Sequence, residues 1–176
     1  MLYFDDQMDA SLQTPRLQLV PLTLTQLKLC LTDLPALETE LGCSISRDVI
    51  TDRVRSAIRK KIAKMKLSEE THHPWQTYWL AIISEDIFGA GLAGFKGVPN
   101  ESGVTEIGYG IDPVYQNKGY MSEAVSALVE WALQQPPCKK VTATTVENPA
   151  SRRLLEKLGA HLVAEDETTT SWEFSR

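Results

Sequence analysis

The chain has 176 residues, 43% hydrophobic and 23% charged, with a formal net charge of −5; that size and balance suit one soluble globular domain over 1–176. The negative charge disfavours contact with nucleic acid or an anionic membrane, and no apolar run approaches the roughly 20 residues a membrane-spanning helix needs. Residues 1–10 carry three aspartates and lack the basic, apolar pattern of a signal peptide, so a cytoplasmic protein with a flexible extension over 1–12 is expected.

Residues 16–20 alternate polar and apolar side chains and read as a first strand. Thr23 and Thr25 offer helix starts ahead of a leucine-rich stretch that ends near Leu31. Over 48–65, Val54, Ile58, Ile62 and Met65 recur at helical spacing and predict a second helix. His72 and His73 fall in a predicted loop, where neighbouring side chains point apart and do not suit a metal. Strands follow at 77–83 and 87–95, joined as a hairpin by the polar turn Ser84, Glu85 and Asp86. A loop over 97–103 leads to a third strand at 104–112.

Met121, Ala124, Val125, Leu128, Val129 and Ala132 obey the i, i+3, i+4, i+7 rule and define a strong amphipathic helix, which stops before Pro136 and Pro137. A strand rich in threonine and valine covers 141–146. Asn148 then caps a short helix with Pro149 at its first position and Gly159 just past its end. Two strands, 161–164 and 168–174, close the chain. The order β-α-α-β-β-β-α-β-α-β-β predicts an α/β (α+β) fold, a mixed sheet of six to seven strands flanked by about four helices. No repeat or linker marks a domain boundary. Cys30, Cys43 and Cys138 lack paired metal-ligand spacing and are read as buried free thiols, with no metal implied.

Two glycine-bearing segments invite a phosphate reading. Gly89, Gly91 and Gly94 spell G-x-G-x-x-G, but that fingerprint works only where the third glycine opens a helix. Phe95 to Pro99 cannot start one, so small residues inside a strand are the better account, and a nicotinamide-dependent oxidoreductase is set aside. The segment 113–121 instead follows a strand and enters the best helix of the chain. Unpaired N–H groups in that first turn and the helix dipole favour a bound phosphate. Gly119 permits close backbone approach, and Lys118 adds positive charge.

Gln116, Asn117, Lys118, Gly119, Tyr120 and Met121 resemble the acetyl-CoA signature of GNAT N-acetyltransferases, Arg/Gln-x-x-Gly-x-Gly/Ala, with Met121 in place of the small last residue. Lys118 to Ala124 looks like the version found in the branch similar to ribosomal-protein N-terminal acetyltransferases. Asn148 to Ser151, continuing through Leu154 to Ala160, resembles that branch's Asn-x-x-Ser…Glu-Lys-Leu-Gly. Thr14 to Leu19 resembles its opening strand. The likeness runs from Thr14 to about Phe174. It implies a mostly antiparallel GNAT sheet, acetyl-CoA as co-substrate and an amine acceptor, either a protein N-terminus or a small molecule.

In strand 104–112, alternation puts Ile107, Tyr109 and Ile111 on one face and Glu106, Gly108 and Gly110 on the other. Paired glycines on one face mark a bulge or the close approach of a ligand. By the resemblance, this strand splays from its neighbour, Tyr109 and Ile111 lie along pantetheine, and residues Gln116 through Ser122 hold the diphosphate. Asn148 is both a helix cap, worth about 1 kcal/mol, and, in the family, a contact near the reacting end of CoA. Glu106 is a candidate general base acting through water, or else a solvated strand carboxylate. Many family members place a tyrosine acid where this chain has Leu155. Ser151 resembles the serine proposed for that role in the ribosomal-protein branch, or else is a helix-start residue. Tyr109 and Trp79 are expected at the acceptor pocket or in the core. A noncatalytic acyl-CoA-binding module is the alternative to an enzyme.

Overall fold

The structure, a computed structural model, describes residues 10–176. The elements in order are β1 (Leu12–Gln13), β2 (Leu17–Pro21), α1 (Leu24–Thr32), α2 (Leu34–Leu41), β3 (Ser44–Ile45) and α3 (Asp52–Met65). There follow α4 (His73–Gln76), β4 (Trp79–Ile83), β5 (Phe88–Phe95), β6 (Val104–Ile111), α5 (Tyr120–Gln134), β7 (Lys140–Val146), α6 (Pro149–Lys157), β8 (His161–Glu165) and β9 (Thr170–Ser175). The strands form one sheet in the order β1-β2-β4-β5-β6-β7-β9-β8, with β3 pairing β5. Only β3–β5 and β6–β7 pair in parallel, so the sheet is mixed and mostly antiparallel.

The sheet buries both faces. In β4, Trp79, Ala81 and Ile83 pack with α5 residues such as Val125 and Leu128. Leu80 and Ile82 point the other way, into a second core with Leu27, Leu37 and Ile58 of α1, α2 and α3. Period-two alternation along one strand thus serves two apolar layers. Cys30, Cys43 and Cys138 are free and buried. No described helix is long and apolar enough to cross a membrane.

Several expectations need correction. Among the described residues nine strands replace six to seven, because β1 and β3 are two residues long and too short to show periodicity. Six helices among the described residues replace about four. α2 is held by the Asp33 cap, Pro35 and a left-handed Gly42 at its end, and its eight residues carry only one buried side chain. The 72–73 loop is instead a 3₁₀ turn running into α4, where a His73 ring nitrogen meets the Met65 carbonyl at 3.0 Å. α3 begins at Asp52 rather than 48, because Thr51 caps it by accepting the Val54 N–H at 3.2 Å. Of the extension expected over 1–12, residues 1–9 lie outside the described residues, whereas Leu12 enters β1 opposite Leu19. Trp79 is 1% exposed and its indole N–H donates to the Pro74 carbonyl, so it belongs to the core and lines no acceptor pocket.

The glycine run of β5 is a packing device. A Cβ on Gly91 would meet the Gly110 carbonyl and the Met121 methyl at 2.9 Å, and one on Gly94 would meet the Thr77 carbonyl at 2.6 Å. Backbones approach too closely there for any side chain.

Candidate active site

β6 and β7 pair only from Val104 to Glu106, opposite Lys140 to Thr142. Beyond that point β6 stays bonded to β5 as far as Ile111, while β7 stays with β9 as far as Val146. The strands therefore splay, and one backbone edge of β6 from Ile107 onward lacks a strand partner. A register shift between Ala143 and Val146 sharpens the split, and Thr145 sits there at φ 51°. That is an unfavourable angle for a β-branched residue, of the kind that concentrates at functional sites.

One mouth of the split is a cavity of about 450 Å³. Gln116, Asn117, Gly119, Tyr120, Met121 and Ser122 form its loop side. Gly119 caps α5 at φ 83°, and the first helical bond runs from the Glu123 N–H to the Gly119 carbonyl. The N–H groups of the first turn then have no acceptor inside the helix and favour an anion. Lys118 is the one candidate from this segment that does not line the cavity; its ammonium lies 5.4 Å from the Tyr115 ring. Arg153 and Lys157 do line it, while among the described residues no aspartate or glutamate does. These two cations escaped the sequence reading. Their signal was spacing: Ala150, Arg153, Leu154 and Lys157 recur along one stripe of α6.

The block at 14–16 proves to be a buttress. Arg16 donates from Nη1 to the Lys118 carbonyl at 2.9 Å and from Nε to Glu123 Oε2 at 2.7 Å. Its guanidinium also lies 4.3 Å from the centre of the Tyr120 ring. Thr14 Oγ1 and the Arg16 N–H donate to Glu123 Oε1. Burial alone would raise the Glu123 carboxyl, but these bonds outweigh it and hold the group below the usual carboxylate range.

The other mouth is a cavity of about 580 Å³ between α3, β6 and β7. Tyr109, Gly110, Asn148 and Ser151 line both cavities, so these four residues mark where the mouths meet. Asn148 caps α6 by accepting the Ala150 N–H at 2.8 Å. Gly108 and Gly110 leave open space where a side chain would stand, as the alternation predicted. Ile107 faces the core at 3% exposure. Glu106 lines the second cavity, paired with Lys96 and accepting from Thr144 Oγ1 at 2.7 Å. Ile111 lines the first cavity alone.

Leu155 is fully buried, so that position brings nothing to the split. Two hydroxyls stand at the junction instead. The Tyr109 hydroxyl is enclosed and, among the described residues, has no hydrogen-bond partner of good geometry. Burial pushes it above the ordinary phenol range, and Ser151 beside it pulls it part of the way back. Ser151 is thus close enough to act on the hydroxyl without closing a well-formed bond. A buried orphan donor at such a junction fits an acceptor atom that arrives with a ligand.

A mixed sheet splayed at a parallel strand pair, with an anion-favouring loop at one mouth and a second cavity at the other, can take a ligand that runs through the split with an anionic group at the loop. The chain belongs to the acetyltransferase (GNAT) domain family, whose model matches residues 16–161. An uncharacterized N-acetyltransferase, YjdG of Bacillus subtilis, is 35% identical over 82 residues, covering 46% of this chain and 49% of that protein. The chain thus spans about half the length of that curated relative. Among solved structures, the acetyltransferase that modifies the N-terminal serine of ribosomal protein L7/L12 from Salmonella typhimurium has a TM-score of 0.60 at 16% identity, covering 93% of this chain and 96% of that one. The microcin C7 self-immunity acetyltransferase MccE, solved with acetyl-CoA and AMP, has a TM-score of 0.60 at 15% identity, covering 93% and 94%. At such identities the likeness shows the fold.

Proposed function

We propose that the protein transfers the acetyl group of acetyl-CoA to a primary amine by direct attack in a ternary complex, with a protein N-terminal α-amine as acceptor. The observation that carries this reading is the meeting of two cavities at Tyr109, Gly110, Asn148 and Ser151. The residues present fit the coenzyme: the first cavity offers unpaired first-turn amides, Arg153 and Lys157, and no carboxylate among the described residues. The open edge of β6 suits the pantetheine amides, which need backbone partners once dehydrated. The structural neighbours act on a ribosomal-protein N-terminus or were solved with acetyl-CoA, which agrees with both halves of the reading.

The bound thioester supplies the electrophilic carbonyl, and the chain supplies position and proton traffic. Glu106, turned into the second cavity, takes the amine proton through water. An α-amine has a pKa of about 7.7–8.0, so roughly one in ten is already neutral at pH 7. An alkylamine near 10.4 is neutral only about once in a few thousand and leans harder on that carboxylate. Ser151, with Tyr109 beside it, donates toward the departing thiolate, which needs only modest help at a pKa of about 8.5. Three buried free thiols among the described residues suit a reducing cytoplasm.

The test is acetyl-CoA binding, with acetylation of matched peptide and small-amine panels by the wild type and by Glu106→Gln. The expected result is turnover led by peptide α-amines, with a Glu106→Gln loss of about tenfold or more that is larger for alkylamines. No binding at millimolar acetyl-CoA overturns the reading. Binding without turnover on any amine turns it into an acyl-CoA-binding module.

A further inference from the structure

α3 reads Asp-Arg-Val-Arg-Ser-Ala-Ile-Arg-Lys-Lys-Ile-Ala-Lys-Met and carries six basic residues against the single acid Asp52, in a chain whose net charge is −5. Its charges are not spread evenly in role. Lys61 Nζ donates to the Phe95 carbonyl and Lys64 Nζ to the Lys96 carbonyl, each at 2.8 Å. Those bonds bring three ammonium groups together at the end of β5. The Lys61 ammonium also lies 4.5 Å from the centre of the Tyr78 ring. Burial, then Lys64 and Lys96, push Lys61 down to about 8, and of the three ammonium groups Lys96 is paired with Glu106. Arg53 joins Tyr78, Lys96 and Glu106 on the wall of the second cavity. It makes no hydrogen bond or ion pair among the described residues.

We propose that the acceptor carries an anionic group, a carboxylate or phosphate, on the same skeleton as its amine, and that Arg53 binds that group at the α3 side of the second cavity.

This rests on the proposed function and adds the chemical class of the substrate. The amine must reach the junction at Tyr109 and Ser151. The cations stand on the wall that α3 and β5 contribute. One molecule therefore spans the cavity, its amine at the split and its anion against Arg53. Of the carboxylates on the wall, Glu106 is held by Lys96 and Thr144. Glu147 also lines the cavity, next to Asn148, and leaves Arg53 uncompensated. A free guanidinium offers paired donors to a carboxylate or phosphate. The same wall repels a polyamine, so the site discriminates by charge as well as by fit.

The experiment uses the full chain with acetyl-CoA and two matched acceptor pairs: the C-terminally amidated peptides Ser-Asp-Glu-Ala-Ala and Ser-Asn-Gln-Ala-Ala, and phosphoethanolamine with ethanolamine. The expected result is a kcat/KM at least tenfold higher for the anionic member of one pair, gained through KM. Whichever pair shows it tells whether the anion comes from a peptide or a small molecule. Arg53→Ala is expected to cut that ratio to threefold or less. Arg59→Ala removes the same charge from the same helix but away from the cavity wall, and is expected to keep the ratio. Ratios near one in both pairs, or equal effects of the two variants, overturn the proposal. Should no amine be acetylated, the proposed function fails, and calorimetry with the N-acetylated peptides reads the anion site by itself. Tenfold tighter binding of the acidic peptide, lost in Arg53→Ala, supports the site; equal binding of the two peptides overturns it.

Discussion

Arg16 Nε lies 2.7 Å from Glu123 Oε2, and the same guanidinium reaches the Lys118 carbonyl at 2.9 Å. One side chain from the start of β2 thus fixes both the loop before α5 and the first turn of that helix. Pre-ordering this cup lowers the entropy lost when a diphosphate binds. Arg16→Ala is expected to weaken acetyl-CoA binding roughly tenfold, about 1.4 kcal/mol. Arg16→Lys fails to restore it, because an ammonium cannot serve both partners with a fixed fork. Isothermal calorimetry checks both; an unchanged Kd for Arg16→Ala contradicts the buttress.

Gly119 and Gly110 are expected to part company on substitution. At φ 83° an alanine at 119 is strained, and its Cβ would stand 3.2 Å from Arg16 Nη2. Gly119→Ala should cost about 1–2 kcal/mol of stability. Gly110 has open space around the missing Cβ, so Gly110→Ala keeps stability within about 0.5 kcal/mol yet raises KM for acetyl-CoA by narrowing the split. Thermal melts beside steady-state kinetics separate the two effects.

The Tyr109 hydroxyl is enclosed without a partner of good geometry, so Tyr109→Phe removes a desolvated donor. Stability in the absence of coenzyme should hold or rise by up to about 1 kcal/mol. Catalysis should move the other way, with kcat falling about tenfold and KM for acetyl-CoA near its wild-type value. Adding Ser151→Ala to Tyr109→Phe should cost less than the sum of the single losses, since neighbours that share a role couple. A destabilised Tyr109→Phe with intact kcat contradicts the assignment.

Much of this site was legible along the chain, and the boundary between legible and hidden is physical. Asn148 with Pro149 and the Ile107–Tyr109–Ile111 alternation are local patterns, and each holds in the fold. Gly119 marks a close backbone approach before a helix, and the left-handed turn it makes there shows only in the fold. Arg16 kept its role hidden because its partner Glu123 lies 107 residues away, and no local pattern encodes such a contact. For Trp79 the sequence leaves acceptor pocket and core both open, because an aromatic on a strand declares its face only once both layers are placed; the core holds it. The bulge at Thr145 has no composition signal, since threonine is an ordinary strand residue.

Lys61 ties the α3 cluster to pH. Its folded pKa, pushed down to about 8 by burial and then by Lys64 and Lys96, lies below the ordinary 10.5. Between these values the unfolded chain holds the proton more tightly, so the penalty of a charged Lys61 is present at neutral pH and fades as pH rises from about 8 to about 10.5. Relative to Lys61→Met, the wild type should therefore gain roughly 1–3 kcal/mol across that window. Chemical denaturation of both proteins from pH 7 to pH 10.5 reads the difference; a gap that stays constant contradicts the shift.

A crystal structure of the chain with CoA bound bears most directly on the central claim. The diphosphate is expected on the amides of Gly119 to Ser122, with Arg153 and Lys157 on the same side and the thiol in the β6–β7 split beside Tyr109 and Ser151. Coenzyme seated elsewhere, with the loop before α5 and the split both empty, would contradict it.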